Sequence, residues 1–357
     1  MSPNHMISST VPRWMDGTGP DADIVLSSRV RLARNLEGVP FPHLLDAEQA
    51  TEVLQAAQRA AGELNKMGLL GPVAYVPLAE VTPVERQVLV EKHLISPAQA
   101  KDVQHKAVIL SQDEGVSIMI NEEDHLRIQC LLPGQQLQDA WALASRLDDA
   151  LEQVMSFAFS DLRGYLTACP TNVGTGLRAS VMMHLPALVL TNQAARALNS
   201  VGQLGLAVRG LYGEGTEAIG NIFQISNQIT LGRTEEEIID HLAAVVAKII
   251  GHERQAREAL GREARDQVED KVSRALGVLS SARIMTSDEA MRLLSDVRMG
   301  INLGILTKVP LQVMNQLLVM SRPAYLQHIA GRDLSPFERD LQRAALIRSK
   351  LGVTQAG

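Results

Sequence analysis

The run Val116-Ser-Ile-Met-Ile120 is apolar and rich in β-branched residues, and it stops at Asn121-Glu122-Glu123-Asp124-His125-Leu126-Arg127. A short apolar run bounded by such a polar cluster reads as a buried strand that must turn. Lys106 to Leu132 therefore reads as two or three strands, with turns at Gln112 to Gly115 and near Glu122 to Asp124. Strand tips carry chemistry more often than strand centres. A second acidic element, Arg209-Gly-Leu-Tyr-Gly-Glu-Gly-Thr-Glu217, follows about ninety residues later. Together the two suggest a pair of carboxylates holding a guanidinium, with arginines nearby to hold phosphates.

The rest of the chain places these elements in an α+β frame. Residues 1 to 23 are rich in Pro, Gly, Ser and Asp and read as an irregular arm. Ile24 to Leu36 mixes β-branched residues with Arg29, Arg31 and Arg34, and Asp46 to Met67 has the period of an amphipathic helix. Gln136 to Phe159 reads as another helix, with Trp141, Ala142, Leu147 and Leu151 on its apolar side. Leu177 to His184, Leu204 to Leu211 and Asn221 to Thr230 are strand candidates. Strands interleaved with helices, without regular βαβ alternation, argue for an antiparallel sheet flanked by helices. From Arg233 to Leu279 the pattern is nearly continuous helix, and the remainder is helical as well. Thr286-Ser-Asp-Glu289 and Ser335-Pro-Phe-Glu338 both have the pattern of a capping box. These signals divide the chain into the arm, a sheet domain over 24–257 and a helical domain over 258–357.

Composition narrows the function classes. The chain has 357 residues, enough for one large domain or two, and 46% are hydrophobic. A net charge of −6 argues against bulk attraction to nucleic acid or anionic lipid. The two cysteines, Cys130 and Cys169, make no disulfide framework and fit a reducing compartment. No apolar leader and no run of membrane-spanning length is visible, so the cytoplasm is the expectation.

Each candidate site has a bland counterpart. Glu122, Glu123 and Asp124 could be a solvated turn. Arg29 and Arg31 of Ser27-Ser28-Arg29-Val30-Arg31 would share one strand face, where they repel unless an anion sits between them; an exposed basic face is the alternative. Ala168-Cys-Pro-Thr-Asn-Val-Gly-Thr-Gly-Leu-Arg178 is a turn leading into a strand, and its glycines permit positive φ and close backbone approach. No Lys follows the second Gly, so it is not a Walker A loop. Gly331-Arg-Asp333 has neither the His nor the partner motif of a protein-kinase catalytic loop. Cys169 could be a small hydrophobe, although arginines nearby would favour its thiolate.

Four of these motifs occur in one order: Ser27-Ser-Arg-Val-Arg31, Asn121 to Arg127, Cys169 to Arg178, and Arg209-Gly-Leu-Tyr-Gly-Glu214. In that order they resemble the catalytic domain of the ATP:guanido phosphotransferase (phosphagen kinase) family over about residues 24 to 255, and Ile222-Phe-Gln-Ile-Ser-Asn227 continues the likeness. Small-molecule members carry a helical domain of roughly a hundred residues ahead of the first motif, whereas here 26 residues precede Ser27 and a helical tail follows instead. That arrangement is similar to the bacterial protein-arginine kinase branch. The branch's Arg-Asp-x-x-Arg-Ala tail motif stands here as Arg339-Asp340-Leu-Gln-Arg343-Ala344. Glu214 also matches arginine-directed members, since creatine-directed ones lack it.

The resemblance implies ATP and Mg²⁺ as cofactors. It puts the nucleotide on Ser27, Ser28, Arg29, Val30 and Arg31, on His93 and Arg127, on Arg178, Ala179, Ser180, Val181 and Met182, and on Arg209, Gly210, Leu211, Tyr212, Gly213 and Glu214. A lone His93 is otherwise more often a surface residue. A guanidinium keeps its protons in water, with a pKa above ~12, so a carboxylate must take one as the N–P bond forms. Glu123 is expected as that base and Glu214 as the second arm of the clamp; Glu122 would orient water on Mg²⁺, and Cys169 would sit against the guanidinium. In the tail, Arg339 and Arg343 lie four residues apart on one helix face, with Asp340 beside them. The bland reading is that water and Asp340 absorb the repulsion. The resemblance implies instead an allosteric phosphoarginine pocket in which Ala344 leaves room. It further implies protein substrates with exposed arginines (a heat-shock repressor among them), marking for a Clp protease, stress regulation, a zinc-binding activator protein and a homodimer through the tail. A kinase for free arginine or another small guanidino metabolite, and a non-catalytic phosphoarginine-binding adaptor, are the competing readings.

Overall fold

The structure, a computed structural model, describes residues 12–210 and 218–352. In chain order the sheet domain runs β1 (Val25–Arg34), α1 (Ala47–Met67), β2 (Val73–Pro77), α2 (Pro83–Glu91), β3 (Ala107–Ser111), β4 (Val116–Ile120), β5 (Leu126–Pro133) and α3 (Leu137–Glu152). It continues through a small hairpin of β6 (Phe159–Ser160) and β7 (Gly164–Tyr165), then β8 (Leu177–His184), α4 (Pro186–Leu190), α5 (Ala194–Gln203), β9 (Leu206–Gly210), β10 (Ile222–Asn227) and α6 (Glu235–Glu263). The helical region comprises α7 (Arg265–Ser281), α8 (Ser287–Asn302), α9 (Leu311–Met320), α10 (Pro323–Ala330) and α11 (Pro336–Lys350).

Eight strands form one sheet in the order β2-β3-β4-β5-β1-β8-β10-β9. Every neighbouring pair is antiparallel. Side chains alternate across a strand, so each strand feeds two faces. The back face carries Val30, Leu32, Ile128, Cys130, Ala179, Val181 and Ile225, buried against apolar residues of α1, α3, α5 and α6. The front face is treated differently along its length. At the β3–β4 end, Val108, Leu110 and Met119 pack under Leu89, Leu94 and Ile95. At its other margin, Leu131, Met182 and Ile222 are buried by Trp14, Met15 and residues of α7, α8, α9 and α11. A strip of the front face between these two covers is left uncapped, and the functional cleft lies there.

Local chemistry explains where the elements start and stop. Asp46, Thr82, Thr234 and Ser335 each accept the N3 amide of their helix and receive the return bond, which makes four complete capping boxes. Thr286 caps α8 through its hydroxyl, without the reciprocal bond its sequence suggests. Helix α3 ends at Glu152, short of Phe159, and it exposes Ala142 while burying Ala140 and Ala144. Helix α6 runs unbroken through 257 and 258; the backbone breaks at Ala264 (φ −139°, ψ 30°). The described part of the arm, residues 12–23, is irregular apart from a turn at Arg13–Met15, yet it is not loose. Trp14 is buried and donates its indole N–H to the Lys92 carbonyl. Asp23 pairs with Arg257, and the Ala22 carbonyl accepts from the buried Arg298.

Arg34 differs from its neighbours on β1. It sits on the back face, where Asp148 of α3 receives its Nε and Nη2, the latter at 2.6 Å. Its Nη1 donates to the carbonyls of Ala33 and Thr175, and the Tyr165 ring covers the guanidinium at 3.4 Å. Removing one partner of such a pair leaves a buried uncompensated charge, a cost of about 3–5 kcal/mol, whereas replacing both by apolar groups is often near neutral. Arg34→Met is therefore expected to destabilise the chain on that scale, and Arg34→Met with Asp148→Leu to recover most of it. Urea unfolding of the three variants reads this directly, and a double variant as unstable as the single one would contradict it.

Candidate active site

Strand register builds the cleft. On β1, Arg31 lies across from Gln129 of β5 and Arg178 of β8, Arg29 across from Ser180, and Ala33 across from Arg127. On the outer strands Gln224 pairs with Met182 on one side and Arg209 on the other. Alternation therefore gathers Arg29, Arg31, Arg127, Arg178 and Arg209 on one face. Arg29 Nε donates to Ser180 Oγ and its Nη2 to Gln224 Oε1, while Arg178 Nη2 reaches Ser226 Oγ at 3.3 Å. The Nε atoms of Arg31 and Arg178 are buried without a hydrogen-bond partner among the described residues.

Burial and mutual repulsion dominate the electrostatics of this face. Burial, then Arg178 and Arg127, pull the Arg29 pKa down to about 10. Arg31 is pushed down further by burial and by Arg29, Arg127 and Arg178, with only Glu122 opposing. Arg178 is lowered by burial, Arg209 and Arg127, with Glu123 among the opposing groups. A bound polyphosphate would reverse each of these repulsions and supply the missing acceptors.

The β4–β5 turn sorts its three acids into three tasks. Asn121, at φ 55°, tightens the turn and ties it to the Ala50 and His105 carbonyls. Asp124 is fully buried and accepts from Asn35 and from the Ala168 amide, so it anchors the loop that carries Cys169. Glu122 accepts from Ser96 Oγ at 2.6 Å and holds Arg127 at 2.8 Å. Glu123 is the acid in the cleft: its side chain is 44% exposed and its Oε2 lies 2.6 Å from Arg127 Nη2. His125 is structural. Its Nδ1 accepts the Leu36 amide, so Nε2 carries the proton shared with the Pro40 carbonyl, and burial lowers its pKa to about 4.

Two joined cavities occupy the uncapped strip. One of about 440 Å³ is lined by the five arginines with Glu123, Cys169, Thr171, Asn172 and Gln224. The other, of about 660 Å³, shares Arg29 and Arg31 and continues past His93, Val90, Ile95 and Met119. The first is polar and suits phosphates and a guanidinium; the second has the mixed lining of a base and sugar site. His93 lines the larger one with φ 61°, its ring edge against Trp14, and burial with Arg29 and Arg322 lowers its pKa to about 3. The Cys169 loop meets its neighbours through glycine, as its sequence suggests. At Gly174 (φ 110°) and Gly176 (φ 64°) a side chain would strike the carbonyls of Thr230 and Ala33. Cys169 is partly exposed, with its sulfur 3.0 Å from Thr171 Oγ1.

Not every expected residue reaches the cleft. Val30, Ala179 and Val181 point into the back-face core, Met182 lies under the helical cover, and Ser27 is buried. Ser28 is buried as a latch, donating to the Gly134 carbonyl and accepting the Gln136 amide. Gly210 and Arg209 line the phosphate cavity, and Leu211, Tyr212, Gly213 and Glu214 lie outside the described residues. In the tail, Arg343 is buried and donates to the carbonyls of Ser321 and Met285 and to Asp340, while Arg339 is partly exposed. Ala344 is packed in the helical core. Gln129 and Gln224 were not expected, although their spacing from Arg127 and within Ile222–Asn227 puts them on the same face. Arg322 and Gln327 of the helical region line the larger cavity, and no motif announces them.

Comparison with known proteins agrees with this geometry. The ATP:guanido phosphotransferase C-terminal catalytic domain matches residues 52–256, and the protein-arginine kinase McsB C-terminal domain matches residues 265–356. The chain belongs to the ATP:guanido phosphotransferase family. It is 60% identical to a protein-arginine kinase of Symbiobacterium thermophilum over 98% of this chain and 99% of that one. A protein-arginine kinase of Moorella thermoacetica is 58% identical over 95% and 97%. Among solved structures, a lombricine kinase superposes with a TM-score of 0.58 at 29% identity, over 71% of each chain. The duplicated taurocyamine kinase of Schistosoma mansoni gives 0.57 at 29%, over 70% of this chain and 35% of that one.

The repulsion in the cleft is measurable. Arg31→Met keeps the stem and removes the charge. It is expected to stabilise the nucleotide-free chain by roughly 0.2–1 kcal/mol, the scale of a like-charge cross-strand pair, and to lose the added stability that saturating Mg-ATP gives the native chain. Chemical denaturation with and without Mg-ATP reads both; a variant less stable than the native chain without nucleotide would mean that the cations are not in conflict.

Proposed function

We propose that this chain is a protein-arginine kinase, moving the γ-phosphate of ATP to the guanidinium of arginine side chains in proteins. The observation that carries the reading is Glu123, an accessible carboxylate that already holds a guanidinium, that of Arg127, at 2.6 Å on an arginine-lined floor. The full-length similarity to protein-arginine kinases of other bacteria supports a protein substrate over a small metabolite.

The chemistry follows from the side chains. Phosphates would lie on Arg29, Arg31, Arg127, Arg178 and Arg209, whose charge offsets that building on the transferring group. The substrate guanidinium would enter beside Cys169 and take the place of Arg127 on Glu123. Its nitrogen forms a bond to the γ-phosphorus, the bond from that phosphorus to the bridging oxygen of ADP breaks, and the N–H proton goes to Glu123. Glu214 would hold the other edge of the planar fork. Among the described residues no three His, Cys, Asp or Glu side chains gather as metal ligands. Glu122 already spends both oxygens on Ser96, Arg127 and the Glu123 amide, so its spare lone pairs suit a magnesium-bound water more than the ion. Mg²⁺ would supply charge neutralisation on the phosphates.

The family resemblance supports further parts of the proposal: a cytoplasmic, dimeric enzyme that marks proteins such as a heat-shock repressor for a Clp protease under stress, with a zinc-binding activator protein as partner. Phosphoarginine would bind at Arg339, Asp340 and Arg343 and stimulate the enzyme. Because Arg343 supports two backbone carbonyls, Asp340→Ala is the cleaner probe. Calorimetry should show phosphoarginine binding lost in that variant, and an unchanged affinity would move the pocket elsewhere.

Glu123→Gln keeps the shape and removes the base. General-base catalysis is worth ~10²–10⁴-fold, so arginine phosphorylation should fall at least ~100-fold while Mg-ATP still binds. Wild-type turnover by this variant would end the assignment of Glu123 as base.

A further inference from the structure

The larger cavity has a wall that the sheet domain does not supply. Arg322, Pro323, Ala324 and Gln327, at the start of α10, face Arg29, His93 and Val90 across it. What holds α10 there is a carboxylate. Glu91, the last residue of α2, is buried and accepts the Ala324 amide on Oε1 and the Tyr325 amide on Oε2, each at 2.9 Å. Those amides belong to the first turn of α10, where no intrahelical acceptor exists. One side chain of the sheet domain thus fastens a helix of the other region at the edge of the cavity. The same helix packs along α2.

The position of Arg322 has a chemical meaning. It is the residue just before α10, in extended conformation (φ −75°, ψ 154°). It lines the larger cavity together with Arg29, Arg31 and His93, and its charge acts with that of Arg29 on the His93 ring. Pro97 and Met119, with Val90 and Ile95, supply apolar surface for a planar base. A nucleotide whose outer phosphates lie on the five arginines, and whose base enters this apolar end, would set its α-phosphate and sugar along the part of the wall made by Arg29, His93 and Arg322. A guanidinium at that point offers planar donors to an anionic oxygen.

We propose that Arg322 is a nucleotide-binding residue that contacts the α-phosphate end of ATP, with Glu91 as the positioning residue that fixes α10, so that the helical region completes the nucleotide site. The proposal rests on the cleft being a nucleotide site and deepens that reading.

Arg322→Gln in the full chain should weaken Mg-ATP binding about tenfold by calorimetry, the effect of one charge-assisted hydrogen bond. Arg322→Lys, which keeps the charge, should lose less. Adenosine, lacking phosphate, should bind both variants and the native chain alike in competition calorimetry. Glu91→Gln should raise KM for ATP by a larger factor than it lowers kcat, a split that general loss of folded protein would not give. Unchanged Mg-ATP affinity in Arg322→Gln, or a loss for adenosine as large as that for ATP, would overturn the proposal. Binding is read without turnover: a chain that binds Mg-ATP through Arg322 but leaves arginine unphosphorylated would fail the kinase reading and keep this one.

Discussion

Arg31 and Arg178 face each other across neighbouring antiparallel strands, and Arg29, Arg127 and Arg209 lie close by on the same face. Left alone, such a face works against the sheet that carries it. The fold holds it because everything behind and beside it is overbuilt. The back face is continuous apolar core, and the two ends of the front face are sealed by separate apolar covers. The Arg34–Asp148 pair locks α3 to β1 directly behind the cleft. The repulsion is thus confined to one strip, where a polyphosphate can relieve it, and stability is exchanged for affinity at that strip.

The same logic orders the acidic turn. Three successive acids cannot all serve as a base, and the structure separates them by burial. Asp124 goes inward to anchor the Cys169 loop, Glu122 goes sideways to fix Arg127 and Ser96, and Glu123 stays in the cleft. Removing Asp124 or Glu122 would therefore disturb the Cys169 loop or Arg127, whereas removing Glu123 would take an accessible carboxylate out of the cleft.

Much of this was legible in the sequence, for stated reasons. Period-two alternation put Arg29 and Arg31 on one face, and Glu–Glu–Asp after Ile120 marked a strand tip. The 3.6-residue period marked the helix after Asp46, and the capping-box pattern at Ser335 marked the start of another. The signals that failed are those that depend on tertiary placement. Val30, Ala179 and Val181 share motifs with binding residues but point the other way, because a strand cannot turn consecutive side chains to one face. The burial of Ala344 in the helical core is likewise set by tertiary packing. Arg322 carries no motif at all, and it lines the cavity beside a helix whose first amides are held by Glu91, some 230 positions earlier in the chain. The break at Ala264 was equally hidden, since helical period persists on both sides of it.

The proposed transfer of phosphate to nitrogen, by an acid over a cation-lined floor, leaves its signature in the product. The direct measurement is the chemistry of the product. An arginine-bearing protein incubated with the chain and Mg-ATP should carry its phosphate on arginine, mapped by mass spectrometry at neutral pH, and should release it on brief acid treatment as a P–N bond requires. Phosphate that survives acid and maps to serine, threonine or tyrosine, or ATP consumed with no phosphate on protein, would contradict the account.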